Sequence, residues 1–598
     1  MKFLTTCLAV CISCALFAQI SFQEVSTPPF LDSEAYFNGV SWVDVDQDND
    51  LDVCVSGFKG LPPNWINVSA IYLNDGAGNF STSNLISSAQ KNAMRHGWAD
   101  IDNDNDLDLY LAATWNQGDG NEIWINNNGS FTMGTVPGLS PATPQPYEGT
   151  VSWADYDNDG WVDLFLPRWN NLKNRLIRNN GNNTFADITI GALVTDLAWT
   201  SGGYWGDYDN DRDQDIFVVN YQIGGSAPGN NDLFRNDGNG AFTKITTAGP
   251  AVTVPERGRS ANWVDVNNDG YLDLFVCNQF GQDLLHINNK NGTFQTLPIG
   301  DANHTSWSSN WGDYDNDGDQ DLITIGFWNT DSRFWQNDGQ GNLTNITSNY
   351  SNIFPLTTNG SNSNGIVWAD ADLDGWLDLH ITQPDVSPDR FLKNMGDTCV
   401  AWLHVKCTGL TSNKAGIGTT IRAKANINGQ PVWQMRQVSA QTASTGTNPL
   451  WQHFGLQNNA FIDSLVVEWP SGKTCYFTNV PTRQFIEIDE DCQIKTLKKA
   501  DNTTSTVQEI LKCVPADAFQ LTMNAPAGGA WSADCGVCID QNGLFDPSGL
   551  VAGNYLVVYQ QGTSCSLSID SFLINLVEGP ELIANGPDTL AFGEKAVL

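Results

Sequence analysis

Seven times along the chain a tryptophan is followed, two residues on, by aspartates at alternating positions and then by an apolar run. The phrases read WVDVDQDNDLD, WADIDNDNDLD, WADYDNDGWVD, WGDYDNDRDQD, WVDVNNDGYLD, WGDYDNDGDQD and WADADLDGWLD. Their first aspartates are Asp44, Asp100, Asp155, Asp207, Asp265, Asp313 and Asp370, at intervals of 56, 55, 52, 58, 48 and 57 residues. The tryptophans are Trp42, Trp98, Trp153, Trp205, Trp263, Trp311 and Trp368. Short apolar runs after each phrase, such as LDLFV, predict strands. A second phrase lies further on in each repeat, as in IYLNDGAGNF (71–80), LFRNDGNGAF (233–242) and FWQNDGQGNL (334–343). It reads as a strand, a tight Asn-Asp-Gly turn and another strand.

Each repeat thus predicts four short strands within about 50 residues, the content of one propeller blade, and seven blades lie within the usual range. The fold class expected is all-β, with a seven-bladed propeller over residues 19–398. One tryptophan per blade at a fixed place predicts a packing layer between neighbouring sheets. The hairpin Asn and Asp residues read as turn chemistry. Repeats one to six end in a strand such as FADIT (185–189) or FTKIT (242–246), whereas the seventh, FLKNMGDTC (391–399), lacks one. ISFQEVS (20–26) has the look of the missing strand, so the N-terminal segment is expected to complete blade seven and leave no open edge.

Charge sharpens this picture. The 598 residues carry 67 acidic against 29 basic side chains, a formal net charge of -38, yet only 16% of residues are charged. Asp outnumbers Glu by 55 to 12, an imbalance that helices do not favour. Such acidity argues against a nucleic-acid binder, and 22 Trp with 28 Phe argue against disorder. The seven loops hold 31 of the 55 Asp. Carboxylates at that density repel one another unless a cation sits among them. Hard oxygen donors in such number suit Ca²⁺; Mg²⁺ prefers fewer protein ligands, and Zn²⁺ wants the His or Cys that the loops lack.

The candidate ligands are Asp44, Asp46, Asp48, Asp50 and Asp52 in loop one, and Asp100, Asp102, Asp104, Asp106 and Asp108 in loop two. Loop three offers Asp155, Asp157, Asp159 and Asp163; loop four offers Asp207, Asp209, Asp211, Asp213 and Asp215. Loop five has Asp265, Asn267, Asp269 and Asp273; loop six has Asp313, Asp315, Asp317, Asp319 and Asp321; loop seven has Asp370, Asp372, Asp374 and Asp378. Position seven of each loop is expected to offer its backbone carbonyl. Position six is Gly or Asn, tolerant of positive φ, except at Arg212. An EF-hand is excluded, because position 12 (Val55, Leu111, Leu166 and their equivalents) falls inside a strand rather than on a Glu. Up to seven Ca²⁺ are expected, weakest in loop five and longest retained in loops one, two, four and six. Seven such ions bring the formal charge from -38 to -24. Chelation is expected to destabilise residues 20–398 and to spare 400–490.

Residues 1–18 read as a secretory signal peptide: Lys2, an apolar run from Phe3 to Phe17, then Ala18-Gln19 as a cleavage point. The run is too short to span a bilayer, and neither Cys11 nor Cys14 sits in a convincing lipobox. A secreted or outer cell-surface location follows, with no transmembrane segment. Cys54 and Cys277 lie in apolar strands and read as buried thiols. Cys399, Cys407, Cys475, Cys492, Cys513, Cys535, Cys538 and Cys565 form an even set that implies disulfides of open connectivity. Disulfides are favoured over a zinc or redox role for Cys535-Gly-Val-Cys538, which has no second CxxC and no βαβ setting.

The seven loops with their LDLFV-like strands resemble FG-GAP/VCBS repeats, the units of integrin-α-type propellers. That resemblance implies Ca²⁺ in the loops, carried by the Asp residues named above. Residues 399–490 resemble the ASPIC/UnbV module through AWLHVKCTG (401–409), SNKAGIG (Ser412 to Gly418), His453-Phe454-Gly455-Leu456 and VEWPSGK (467–473). Propeller plus module is the arrangement of the cartilage acidic protein family and its bacterial relatives. Ala415 and Gly416 stand where that family usually has Asp and Ala, which weakens any binding role for the loop. Residues 491–512 read as a polar linker. Residues 513–578 resemble an immunoglobulin-like module common in surface proteins of Bacteroidetes, and 579–598 read as the start of a further module cut in mid-strand.

No GxSxG, HExxH, Walker A or GxGxxG-helix pattern appears. His96, His304 and His380 are singly placed and read as packed residues; His404 and His453 lie in strand-like segments of the module. Glu148 and Arg168 flank loop three without a spacing that supports a role. The chain is therefore expected to be a calcium-binding scaffold for extracellular protein or glycan partners, with no chemistry and no catalytic residue. The C-terminal modules are candidates for carbohydrate adhesion. The alternative is an extracellular polysaccharide lyase or glycosidase on a propeller scaffold, a reading that fold alone cannot carry.

Overall fold

The structure, a computed structural model, describes residues 20–25, 36–59, 66–86, 93–113, 121–139, 148–223, 227–302, 304–326, 330–350, 364–383, 389–397, 400–499, 507–514, 518–521, 530–533, 538–551, 553–561 and 568–578. Residues 1–18, read above as a signal peptide, and the segment 579–598 lie outside the described residues. Two compact units divide at Ala500 and Asp501.

In the first unit each blade centres on four antiparallel strands, and the sheets of blades one and four are extended by further short strands. Blade three, for example, runs Ser152–Ala154, Asp163–Leu166, Arg175–Asn179 and Phe185–Ile188 in spatial order. First strands of successive blades are neighbours, and Tyr36–Val43 of blade one meets Ile366–Ala369 of blade seven, so the ring closes. Phe22–Glu24 pairs antiparallel with Arg390–Asn394 and is the fourth strand of blade seven. Phe22 is buried among Tyr314, Phe334 and Trp368.

Second strands such as Asp163–Leu166 and Asp273–Asn278 are buried at every position. A neighbouring blade covers each face, which explains their unbroken apolar runs. The repeated tryptophans are that packing layer. Trp205 meets Phe165 edge-on and stacks near-parallel on Tyr156 of the preceding blade; Trp263 does the same with Phe217 and Tyr208. Trp42 packs on Phe391 across the closure.

Residues 401–499 form two four-stranded sheets around one core. Trp402–Thr408, Gln452–Gly455, Gln484–Asp489 and Ile494–Lys499 make the first sheet; Thr420–Ile427, Gln430–Gln437, Phe461–Glu468 and Thr474–Pro481 make the second. The stretch read as a linker, 491–512, is strand at both ends: Ile494–Lys499 pairs with Gln484–Asp489, and Val507–Val514 begins the second unit. Cys475 and Cys492 form a disulfide. Cys407, expected among the disulfides, is instead a buried free thiol, because its strand turns it into the core beside Leu403, Val405 and Ile421. Cys54 and Cys277 are buried thiols, and Cys538 is disulfide-bonded.

Between Gln430–Gln437 and Gln452–Gly455 the chain leaves this sandwich and enters the ring. Gly446–Thr447 pairs in parallel with Val40 and Ser41 of the first strand of blade one, and the Val40 amide donates to the Thr445 carbonyl at 3.0 Å. Asn448 and Asn310 of blade six exchange side-chain bonds at 2.7 and 2.9 Å. The Ser444 amide donates to Ser308 Oγ at 3.1 Å. Ala440 packs with blades two and three, Ala443 with blades six and seven. A segment touching first strands on opposite sides of the ring runs through its centre. A Cβ on Gly446 would meet Val367 Cγ1 at 2.8 Å, so no side chain fits there.

The second unit holds a four-stranded sheet, Val507–Val514, Ser568–Glu578, Gly553–Gln561 and Ala530–Ala533 in spatial order, and a strand pair, Phe519–Gln520 with Leu544–Phe545. Leu521, Phe545, Val557, Ile574 and Leu576 form its core.

Candidate metal centres in the loop ring

Every acidic loop joins the first strand of a blade to the second. Two residues per loop are left-handed. Position four has φ of 55° to 62° in all seven loops, and position six has φ of 69° to 101°. Asn dominates position four (Asn103, Asn158, Asn210, Asn268, Asn316), the residue that tolerates this conformation best after Gly; sequence reasoning had singled out only position six. The curl turns successive amides inward. In loop two the Asp104 and Asn105 amides donate to the Asp100 carboxylate at 3.1 and 2.8 Å, and Asp155, Asp207, Asp265, Asp313 and Asp370 receive the same pair. The position-five carboxylate accepts from the position-seven amide, as Asp104 does from Asp106 at 3.0 Å.

Position nine is also a latch. Asp108 accepts from the Ile101 amide at 3.1 Å and from the Asn126 amide at 2.8 Å. Asn126 Nδ2 then donates to the Val45 carbonyl in the preceding blade at 2.9 Å. The same clasp recurs from Asn179 to Ile101, Asn236 to Tyr156, Asn288 to Tyr208, Asn337 to Val266 and Asn394 to Tyr314. Asn74 to Ala371 completes the circle. The hairpin Asn is thus more than turn chemistry: it ties each acidic loop to its neighbour.

Position three is different. Asp102, Asp157, Asp209, Asp315 and Asp372 each have a buried Oδ1 with no hydrogen-bond partner in the protein. The same unpartnered carboxylate oxygen recurs at one position in five loops. Ligand atoms of positions one, three and nine lie within 4.8 Å of one another in loops two, three, four and six, and those of Asp44, Asp46 and Asp48 do so in loop one. Burial, reinforced by the neighbouring carboxylates, pushes Asp100, Asp155 and Asp207 up to about 7 and Asp108 up to about 8. Asp313, Asp315 and Asp321 in loop six, like Asp163, Asp215 and Asp378, are raised well above the usual carboxylate range for the same reasons. A hard divalent cation meets every one of these observations.

The remaining candidates fall outside those clusters. Asp106 accepts from the Asn128 amide at 2.5 Å and from Gln47 of loop one; Asp213 accepts from Asn158 of loop three at 2.6 Å. Both position-seven carboxylates join loops to their surroundings. Asp50 and Asp319, at the same position, each keep a buried Oδ1 without a partner. Asn267 Oδ1 accepts from the Asp269 amide at 3.1 Å. Some loops carry their own cation: Arg178 contacts Asp157 and Asp159 at 2.5 and 2.6 Å, Lys393 contacts Asp372, and Lys290 lies 3.3 Å from Asp269.

The module at 401–499 sits on this face. His404 Nε2 is 2.9 Å from Asp370 Oδ2, His453 Nε2 is 2.7 Å from Asn316 Oδ1, and the Gly455 amide donates to Asp313 Oδ2 at 3.0 Å. Arg422 donates to the Gly270 carbonyl at 3.0 Å and to Asn210 at 3.1 Å. Arg212, the exception at position six, donates to the Gly472 carbonyl and to Thr474 at 2.9 Å. Position-six glycines serve contact as well as φ: a Cβ on Gly375 would overlap the Trp402 ring, and one on Gly160 would lie 2.6 Å from the Thr411 carbonyl. His96 is held by Ser41 and Ser56 and His304 by Ser306, as packed residues. Glu148 is buried against Arg175 and Asn121.

A sequence profile described as FG-GAP-like repeat matches residues 44–111, 100–166, 155–218, 219–276 and 265–324. One described as ASPIC and UnbV matches 409–495. The chain is 25% identical over 277 residues to cartilage acidic protein 1 of Xenopus tropicalis, covering 42% of either protein. It therefore spans less than half the length of that relative. Among solved structures, an Agrocybe aegerita lectin, described as recognising non-reducing terminal N-acetylglucosamine, overlaps 55% of this chain and 79% of its own at 17% identity and a TM-score of 0.37. A Lactobacillus plantarum protein overlaps 60% and 99% at 10% identity and a TM-score of 0.34. Neither score is high enough to carry an argument. Among the described residues no helix is long and apolar enough to cross a membrane.

Proposed function

For a chain that joins FG-GAP-like repeats to an ASPIC and UnbV domain, we propose the role of a secreted or cell-surface scaffold. In this reading calcium holds the ring, and the protein binds extracellular protein or glycan partners without catalysing a reaction. The observation that carries the calcium part is the repeated orphan at position three, facing the position-one and position-nine carboxylates. Asp100, Asp102 and Asp108 would hold the ion in loop two, with equivalent triads in loops three, four and six. The ion supplies the positive charge that lets these buried carboxylates ionise together, so its binding free energy becomes folding free energy. The backbone amides orient positions one and nine before any ion arrives.

Extracellular calcium sites of this general kind have dissociation constants on the order of 10⁻⁴–10⁻³ M. Equilibrium dialysis against ⁴⁵Ca²⁺ should find several ions per chain in that range; none bound at 5 mM would sink the metal assignment. The non-catalytic part is tested by incubating the full chain with a panel of polysaccharides, with and without chelator. Soluble products that depend on the protein would favour the lyase or glycosidase reading instead.

A further inference from the structure

The module closes only the loop face of the ring. The other mouth, where first strands begin and second strands end, carries opposite chemistry. In a chain of net charge -38, Arg95, Arg257 and Arg259 gather there with Trp169, Trp199, Tyr221 and Trp307. The Arg259 guanidinium carbon lies 4.0 Å from the Tyr221 ring centre and 4.2 Å from that of Trp307. Arg95 lies 4.9 Å over Trp169, and Arg257 5.2 Å over Tyr221. Trp169, Trp199 and Tyr221 continue edge to face, at 6.5 and 6.0 Å. The arc spans blades two to six.

Two of these cations, Arg95 and Arg259, have no carboxylate partner among the described residues. Arg95 is 5% exposed, and its Nη1 has no hydrogen-bond partner. Arg259 donates through Nε to Gln279 Oε1 at 2.7 Å. No carboxylate among the described residues pairs with either guanidinium; the Tyr221 hydroxyl is the favourable partner of Arg259, and the neighbouring Arg95 and Arg257 oppose its charge. The buried Trp199 Nε1 and Tyr204 hydroxyl are likewise without partners. A buried guanidinium with unmet donors is costly, and the missing complement is an anion. Guanidinium groups bind planar oxyanions with two parallel bonds, and the half-exposed rings of Trp199, Tyr221 and Trp307 offer flat apolar faces beside indole and phenol donors. With the ring centre filled by the segment around Gly446, a ligand reaches this arc from its own side.

We propose that this mouth binds a saccharide bearing carboxylate or sulfate groups. The proposal rests on the binding role argued above and names its ligand class. The aromatic arc favours sugar rings over an acidic peptide, whose extended backbone finds no strand edge here among the described residues. The test presents the full chain, in 5 mM CaCl₂, to matched neutral, uronate-bearing and sulfated oligosaccharides and to an oligo-aspartate peptide. Binding to an uronate-bearing or sulfated arm is expected, with the neutral counterpart weaker. Arg259→Gln should weaken it by about tenfold or more, the scale of one lost charge-assisted hydrogen bond, and Arg259→Lys by less. Trp307→Ala, at a half-exposed position, gives a second reading should Arg259→Gln fail to match the wild-type melting curve. Equal binding by wild type and both folded variants, binding of the peptide alone, or no binding to either anionic arm overturns the site. If another partner is captured equally by wild type and Arg259→Gln, the site fails while the broader binding role stands.

Discussion

Loops two and three are built from the same phrase, yet they balance their charge differently. In loop three Arg178 reaches back from the third strand to Asp157 and Asp159. The equivalent residue of blade two is Ile125, and no protein cation pairs with Asp100, Asp102 or Asp108 among the described residues. Loop seven follows loop three through Lys393. Loop six is closer to loop two: no protein cation forms an ion pair with it among the described residues, the neutral Gln336 donates to Asp315 at 3.1 Å, and the buried Arg436 acts on Asp313 through space. On the proposed reading, an ion would supplement a protein cation in loops three and seven and would be the main counter-charge in loops two and six. Counting aspartates ranks the loops by ligand supply; the geometry ranks them by what else neutralises the ligands.

Chelation tests that ranking most strongly. One site held at a hundred times its dissociation constant contributes about 2.7 kcal/mol, and a domain of about 150–250 residues shifts by about 2–4 °C per kcal/mol. Removing several ions should therefore lower the melting temperature by about 10 °C or more. Hydrogen exchange should show residues 100–108 and 313–321 losing protection before 155–163 and 370–378. The module at 401–499 should lose stability together with the ring, not be spared, because His404, Gly455 and Arg422 are bonded to the loops themselves. Simultaneous opening of all seven loops would break the comparison.

Single ligands come next. Asp102→Ala should weaken calcium binding at loop two by about tenfold or more, whereas Asp157→Ala should cost less because Arg178 is released. Titrations that rank the two variants in reverse order would contradict the assignment.

Acidity gives a smaller effect of opposite sign in the two metal states. Burial, together with neighbouring carboxylates, holds Asp100 near 7 and Asp108 near 8, against about 3.9 in an unfolded chain. The metal-free fold therefore binds protons more tightly than the unfolded chain does. No penalty exists below about pH 4, and stability falls as pH climbs from there through about 8. In EDTA the protein should melt several degrees higher at pH 5 than at pH 8. Saturating calcium should close or reverse that gap, since the ion replaces the protons. The smallest effect belongs to Arg178→Gln: about 1 kcal/mol or less, given its exposure, seen in EDTA and absent in calcium.

Most of the ring was legible because each blade repeats its instructions. The Trp spacing, the apolar second strand and the Asn-Asp-Gly hairpin each point to one element, and even Phe22–Glu24 could be placed by the strand that blade seven lacks. What escaped were relations between repeats. Asn126 looks like any turn residue until its amide is seen to reach Val45 one blade back. Arg212 looks like a defect at a left-handed position, yet it anchors the module through Gly472 and Thr474. The segment around Gly446, Ser444 to Pro449, reads as a surface loop from its Ser, Thr, Gly, Asn and Pro content, because its partners are first strands of distant blades. The arginines of the far mouth are single residues scattered over about 165 positions, adjacent only once the ring has closed.

The N-terminal strand also imposes an order of events. Glu24 pairs with Arg390 across 366 residues of sequence, and Gly446 lies further along the chain still. During synthesis the ring's first strand must wait for its partner in the last blade, Arg390–Asn394, to follow it. Individual blades can form as they appear, but the circle becomes a single cooperative body only near the end, by a contact of very long range and correspondingly slow closure. The earliest residues of the folded ring are therefore the last to find their place.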